Sequence, residues 1–281
     1  MAYKLFAFDL DGTLLDDDKH IPEKNLRALE YAAAQGAVLV PATGRLYAVI
    51  PDVLRNLDFI RYYILINGAC VYDSLEDRIL CSADIPPDMS LKFLEYADST
   101  PAIYDCYTEN RAYMTESMYN SAESFFPDQP HMLYMVKTVR TPVPELKAFL
   151  REKGCCTQKM QLFFRPEHMD IRQRVLSEIP ELFPELCPTS SVKNNIEINS
   201  IKAGKGKALL MLAEKLGIRR DETAAFGDGT NDTEMLTAAG CGAAMANAEG
   251  SVKAAADIIT GSNNEGGVGE GIIRFLKGIW K

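Results

Sequence analysis

The chain has 281 residues, 47% of them hydrophobic, with a net charge of −9 and a pI near 5.0. It is long enough for one large domain or two smaller ones with full cores. The acidic balance leaves no broad basic face for a nucleic-acid backbone, and no apolar run approaches the roughly 20 residues of a membrane helix.

The stretch "KLFAFDL" (4–10) is an apolar, aromatic-rich run that reads as a buried strand ending on an acidic turn. "PEKNLRALEYAAAQG" (22–36) reads as a helix, with Leu26, Leu29 and Ala33 on one stripe, Pro22 in the first turn and Gly36 at the stop. "AVLVPATGR" (37–45) is a second strand, running into Thr43-Gly44-Arg45. "RLYAVIPDVLRNL" (45–57) is helical in pattern apart from Pro51, and "YYILINGACVYD" (62–73) is a strand pair around Asn67-Gly68. From about 84 to 190 the pattern changes. "AIYDCYT", "RAYMTES", "HMLYMVKTV" and "KMQLFFRP" read as antiparallel strands, with helices over "PPDMSLKFLEYADS" and "PEHMDIRQRVLSEI". The last third returns to alternation: a helix over "KGKALLMLAEKLGI" (205–218), a strand over "TAAFGDGTND" (223–232), then short helices and strands to "DIIT" (257–260). Strand–helix alternation at both ends predicts one parallel sheet covered on both faces, interrupted by a mixed α+β insert.

The N-terminal stretch "MAYKLFAFDLDG" has no signal-peptide cleavage region. Seven scattered cysteines without a C-x-x-C point to reduced thiols rather than a disulfide framework, and so to the cytoplasm. Three histidines without a Cys/His cluster argue against zinc.

The chemistry gathers at strand ends. Asp9 and Asp11 are two apart, a spacing that projects both carboxylates to one side of a strand. Ligands in open α/β sheets bind at that edge. Two carboxylates so close repel unless a cation or a shared proton intervenes, and Gly12 allows a tight turn behind them. A second acidic turn, "GDGTND" (227–232), adds Asp228, Asn231 and Asp232, hard oxygen donors suited to Mg²⁺. Thr43, Gly44 and Arg45 offer a hydroxyl, backbone N–H groups and a cation for a phosphate. Lys205 opens a helix, where ammonium and helix end both neutralise developing charge. An EF-hand and a P-loop are both excluded by spacing. The run Asp16-Asp17-Asp18 reads as a solvated loop, and Asn67 and Asn247 are turn residues that approach the site or simply shape the backbone.

The ordered set Asp9-Leu10-Asp11-Gly12-Thr13, Thr43-Gly44-Arg45, Lys205-Gly206 and Gly227-Asp228-Gly229-Thr230-Asn231-Asp232 resembles the haloacid dehalogenase superfamily. The insert between the Thr and Lys motifs is similar to its Cof-type branch, subfamily IIB with a C2 cap. So are "INGA" (66–69), "IEI" (196–198), "MANA" (245–248) and "NNEGGV" (263–268). Ala246 departs from the glycine expected there, and "SIKAG" (200–204) is an atypical approach to Lys205.

The resemblance implies a Rossmann-like core over 1–83 and 191–281, with an α+β cap over 84–190. It implies a phosphoric monoester hydrolase using Mg²⁺ on small phosphomonoesters, sugar phosphates or related metabolites. In that reading Asp9 is the nucleophile and Asp11 the general acid–base. Mg²⁺ is held by Asp9, the Asp11 carbonyl and Asp228. Thr43, Gly44, Arg45 and Lys205 meet the phosphoryl group, and Asn231 and Asp232 orient ligands or Lys205. Arg45 contacts substrate or pairs with an acidic neighbour. A phosphohexomutase and a non-catalytic phosphometabolite-binding regulator are the alternatives. The presence of Asp9, Asp11, Lys205 and Asp228 weighs against the regulator.

Overall fold

A computed structural model describes residues 3–279. The chain divides into two compact units, Met1–Ser82 with Ala203–Lys281, and Ala83–Lys202.

The first unit is built on a five-stranded sheet. Its order is Ile258–Ile259, Cys241–Ala244, Thr223–Gly227, Leu5–Phe8, Val38–Pro41, and every pairing is parallel. The central Leu5–Phe8 strand is buried along its whole length, as expected for a strand covered on both faces. Leu5 and Ala7 pack toward Leu209 and Leu212 of the Lys205–Lys215 helix. Phe6 turns the other way and packs on Phe275 of the Gly267–Lys277 helix, with ring centroids 6.0 Å apart. Phe8 pairs in register with both Phe226 and Pro41. The residues that follow these three strands, Asp9, Asp228 and Thr43, therefore leave the sheet at one edge.

The Glu23–Ala34 helix forms where its periodicity predicts, but its buried stripe is Asn25, Ala28, Leu29 and Ala32. The expected Leu26 and Ala33 are only half-buried. A polar residue faces inward because backbone groups need it: the Asn25 amide donates to Leu14 O at 2.9 Å and its oxygen accepts from Gly269 N at 2.7 Å. Pro51 divides the 45–57 stretch into a 3₁₀ turn, Tyr47–Val49, and a short helix, Asp52–Arg55. The Asn67-Gly68 strand pair is an antiparallel hairpin of Tyr62–Leu65 and Cys70–Asp73, joined by Arg78–Ser82.

The second unit is a six-stranded sheet ordered Leu186–Thr189, Asn195–Ser200, Lys159–Phe163, Ile103–Thr108, Arg111–Thr115, Arg140–Val143. Only the last pair is parallel. The helices Pro87–Ala97, Leu146–Lys153 and Met169–Leu182 pack on one face over Tyr104, Cys106, Met160 and Leu162. The alternate residues form the other face. Part of it is apolar, with Ile103 and Phe163 against Phe125, Phe126 and Val136. The rest is a buried polar network in which Arg140 donates to Asp105 at 2.8 Å and Lys159 pairs with Glu197 at 2.8 Å. Tyr107 Oη accepts from Gln161 at 2.8 Å and from Arg140 at 3.1 Å.

Two expectations change here. "HMLYMVKTV" lies in a helix, Pro130–Val139, not in a strand. Pro130 suits the first helical turn, and Met132, Leu133 and Val136 pack inward at a 3–4 spacing rather than alternating. The second unit also runs past residue 190 to Lys202. The Asn195–Ser200 strand pairs antiparallel with Lys159–Phe163 and Leu186–Thr189, which ties it to the inserted sheet.

Candidate active site

The Leu5–Phe8 strand ends one residue before Asp9, and the backbone then curls tightly. Thr13 N donates to Leu10 O, Leu14 N to Asp9 O and Leu15 N to Leu10 O. Gly12 sits at φ +80°, and a Cβ there would lie 2.4 Å from Asp228 Oδ2. Glycine at this position lets the two acidic turns touch.

Asp9 is 8% exposed, and its Oδ1 accepts from Lys205 Nζ at 2.5 Å. Lys205, 1% exposed, also donates to Asp232 Oδ1 at 2.6 Å. The other Asp232 oxygen accepts from the Asp228 and Gly229 N–H groups, at 3.1 and 3.0 Å. Asp228 Oδ1 accepts from Thr13 Oγ1 at 2.6 Å. Asp232 is thus the residue that orients both Lys205 and the acidic turn, while Asn231 is exposed beside it.

Burial raises the Asp9 carboxyl above its ordinary range and its neighbours Asp232 and Asp228 add to this, against the opposing pull of Lys205. Burial also raises Asp228, helped by Asp232 and opposed by the Thr13 hydrogen bond. Burial alone would lower Lys205, but Asp9 and Asp232 outweigh it and hold the ammonium charged.

Asp9, Asp228 and Asp232 each offer an oxygen within 4.8 Å of the others. Three clustered carboxylates face the one Lys205 ammonium, an acidic excess that suits a divalent cation. An all-oxygen donor set fits Mg²⁺. Asp232 has both oxygens engaged, so Asp9 and Asp228 are the carboxylates suited to ligate.

The Asp11 carboxylate lies outside this cluster. Strand alternation ends at Phe8, so the two-apart spacing does not give the pair common partners. Asp11 instead accepts a bidentate bond from Arg45 Nη2, at 2.9 and 2.8 Å, and pairs with Lys19 at 2.9 Å. Burial would raise its carboxyl, but the Lys19 and Arg45 cations outweigh that and hold it below the usual carboxylate range. Of the two readings of Arg45, this arrangement displays the acidic pairing.

Thr43 is buried and its N–H donates to Ile64 O at 2.9 Å. Gly44 lies against Asn67, whose Oδ1 would be 2.8 Å from a Cβ at that position. Ile66 and Asn67 adopt φ of +56° and +57°. For a β-branched residue this is a strained conformation of the kind that clusters at functional sites. Ile66 N donates to Arg45 O and Asn67 N to Thr43 O, so the strained turn holds the Thr43–Arg45 backbone.

Sequence reasoning left out three groups. Thr13 was legible only as part of D-x-D-G-T. Lys19 reaches Asp11 through a left-handed turn, φ +66°, that no motif marks. Asn263, 3% exposed, is linked to the Asp9–Leu15 turn from the far end of the chain. All seven cysteines are free, and no described helix is long and apolar enough to cross a membrane.

Fold and site together define a hydrolase of the haloacid dehalogenase type. The model of the haloacid dehalogenase-like hydrolase family matches residues 6–272, and the chain belongs to that family. It is similar to the putative phosphatase YxeH of Bacillus subtilis, with 32% identity over 96% of this chain and 97% of that protein. It is also similar to the 5-amino-6-(5-phospho-D-ribitylamino)uracil phosphatase YcsE of the same organism, 30% identical over 97% and 96% of the two chains. Among solved structures it resembles the subclass IIB sugar phosphatase BT4131, with a TM-score of 0.76 and 25% identity over 97% of this chain and 98% of that one. The chain is an enzyme of this phosphatase kind, Cof-type within the superfamily.

Proposed function

We propose that the chain is a cytoplasmic, Mg²⁺-dependent phosphatase that hydrolyses small phosphomonoesters, sugar phosphates or related metabolites, through an aspartyl-phosphate on Asp9. The observation that carries this reading is the bonded set Asp9–Lys205–Asp232 beside Asp228 and Thr13. It combines a fixed carboxylate, a charged ammonium and a pocket in which carboxylates outnumber cations. The name of the sugar phosphatase BT4131 supports the substrate class.

In the first half-reaction an Asp9 oxygen forms a bond to phosphorus as the phosphorus–oxygen bond to the leaving alcohol breaks. Asp11 gives its proton to that leaving oxygen. In the second, water attacks phosphorus, its proton passes to Asp11, and the bond to Asp9 breaks to release phosphate. Asp11 is ionised under Arg45 and Lys19, the state required of the base. An arriving phosphoryl dianion competes for those cations and favours the protonated acid. Lys205, Thr43 and the Gly44 backbone hold the phosphoryl oxygens as charge redistributes. Mg²⁺ would be held by Asp9, the Asp11 carbonyl and Asp228, and when bound it neutralises phosphoryl charge.

The test is hydrolysis of an aryl phosphate, followed by a panel of phosphorylated sugars, nucleotides and cofactors. Activity that disappears with EDTA and returns with Mg²⁺ supports the reading. Full turnover under chelation contradicts it. Release of inorganic phosphate, rather than an isomeric sugar phosphate, separates a phosphatase from a phosphohexomutase.

A further inference from the structure

The acidic run after the catalytic turn is not simply solvated. Asp17 Oδ1 accepts from Asn263 Nδ2 at 3.1 Å, and its Oδ2 accepts from Asn264 Nδ2 at 3.0 Å. The Asp17 backbone N–H donates back to Asn264 Oδ1 at 3.1 Å, across 247 positions of sequence. Asn263 does more than hold Asp17. Its amide also donates to Leu15 O at 3.1 Å, and its backbone N–H donates to Asn247 Oδ1 at 3.0 Å. Asn247 in turn donates to Gly12 O at 2.8 Å.

These bonds land on the second half of the Asp9–Leu15 turn and on the segment that leaves it. Gly12 directly follows Asp11, and Leu15 bridges back to Asp11 and donates to Leu10 O. Asp17 belongs to the Asp16–His20 turn, closed by Asp16 N to His20 O and Lys19 N to Asp16 O, which carries Lys19 onto Asp11.

We propose that Asn263, Asn264 and Asn247 form a clamp, with Asp17 as its anchor, that positions the Asp9–Leu15 turn and the Lys19 ammonium for phosphoryl transfer. Its effect on catalysis rests on the phosphatase reading; its effect on the turn does not. None of the four touches a reacting atom, so they are positioning residues. The buried Asn263 amide, which satisfies the Leu15 carbonyl and the Asp17 carboxylate, is costly to replace, and its backbone N–H holds the Asn247 side chain that satisfies the Gly12 carbonyl. A displacement of about 1 Å at a reacting group lowers rate by up to roughly 100-fold.

The hydrogen-bond pattern permits an exchange test. Asp17→Asn sets one amide against the Asn264 amide, and Asn264→Asp sets one carboxylate against Asp17. The two together restore a donor facing an acceptor, and the Asp17 backbone N–H keeps its partner. Asn264 and Asp17 are both exposed, so each variant should fold; exposed Asp18→Ala is the control. Each single variant should lose about tenfold in kcat on an aryl phosphate with KM within about twofold, and the double variant should regain most of it. Amide hydrogen exchange of Leu14 and Leu15 in the metal-free, substrate-free protein should quicken about tenfold in each single variant and slow again in the double. Unchanged exchange in the single variants, or no recovery in the double, overturns the clamp. Exchange that responds in a protein hydrolysing no phosphomonoester keeps the clamp and overturns the phosphatase reading instead. Exchange that responds while kcat stays at the wild-type value shows a structural tie only and overturns the positioning role.

Discussion

Replacing Lys205 by methionine separates the electrostatics of this site from its packing. The side chain is 1% exposed, and its ammonium lies 2.5 Å from Asp9 and 2.6 Å from Asp232. Methionine fills much of the volume but leaves three clustered carboxylates without that cation. Breaking a buried ion pair by removing one partner costs about 3–5 kcal/mol. In a domain of this size that is a fall of on the order of 10 °C in Tm for the metal-free protein. Protonation of Asp9, whose carboxyl is already raised by burial, limits the loss at lower pH, so the measurement belongs at pH 8. A divalent ion partly replaces the missing charge. At a concentration about 100 times its Kd, Mg²⁺ stabilises by roughly 2.7 kcal/mol, and the variant should gain more from it than the wild type. Activity should not return with stability, because the cation facing the phosphoryl oxygens is gone; a loss of about 100- to 1,000-fold in kcat is expected. Calorimetry with and without Mg²⁺, alongside steady-state kinetics, reads both effects. A variant as stable as wild type without metal, or one retaining a tenth of kcat, would refute the reasoning.

Asp9→Asn should remove all turnover, because an amide cannot serve as the attacking carboxylate, while circular dichroism stays native. Asp228→Ala should raise the Mg²⁺ concentration needed for half-maximal activity or abolish turnover, whereas Asp18→Ala should change neither; metal titration of both variants checks this. In the second unit, burial would raise the Glu197 carboxyl, but Lys159 and the Ser191 and Asn195 hydrogen bonds outweigh it and hold it low. A depressed carboxyl contributes stability above its unfolded value near 4.5, lost as pH falls through the folded value. Glu197→Gln should therefore lower the unfolding free energy from urea titration at pH 7 by about 3 kcal/mol with Lys159 left unpaired, and the gap from wild type should narrow as pH falls below 4.5 through the depressed folded value.

The motif residues were legible because their chemistry sits directly after a strand. A run such as "FAFDLDG" fixes both the buried strand and the edge where Asp9 emerges, and parallel register with Phe226 and Pro41 brings the other motifs to the same edge. What lay hidden depends on distant backbone. Asn25 breaks its helix's apolar stripe because Leu14 and Gly269 need partners, which periodicity does not reveal. The Asn195–Ser200 strand joins the inserted sheet through pairing with Lys159–Phe163, far outside its own segment. Asp105, Lys159 and Glu197 alternate like solvent-facing strand residues, yet they are buried in pairs. Lys19 and Asn263 reach the site through a left-handed turn and a clamp closed across nearly the whole chain, and neither leaves a local pattern.

The central claim is that Asp9 becomes phosphorylated. Asp11→Asn keeps the nucleophile and Lys205 in place but removes the group that deprotonates water, so the covalent adduct should accumulate. The measurement is acid quenching of this variant during turnover of an aryl phosphate with Mg²⁺, followed by mass spectrometry of the peptide containing residues 4–19. The account predicts one added phosphoryl group on Asp9 in Asp11→Asn, and none when Asp9→Asn is introduced as well. Turnover with no adduct on Asp9, or an adduct that survives Asp9→Asn, would contradict it.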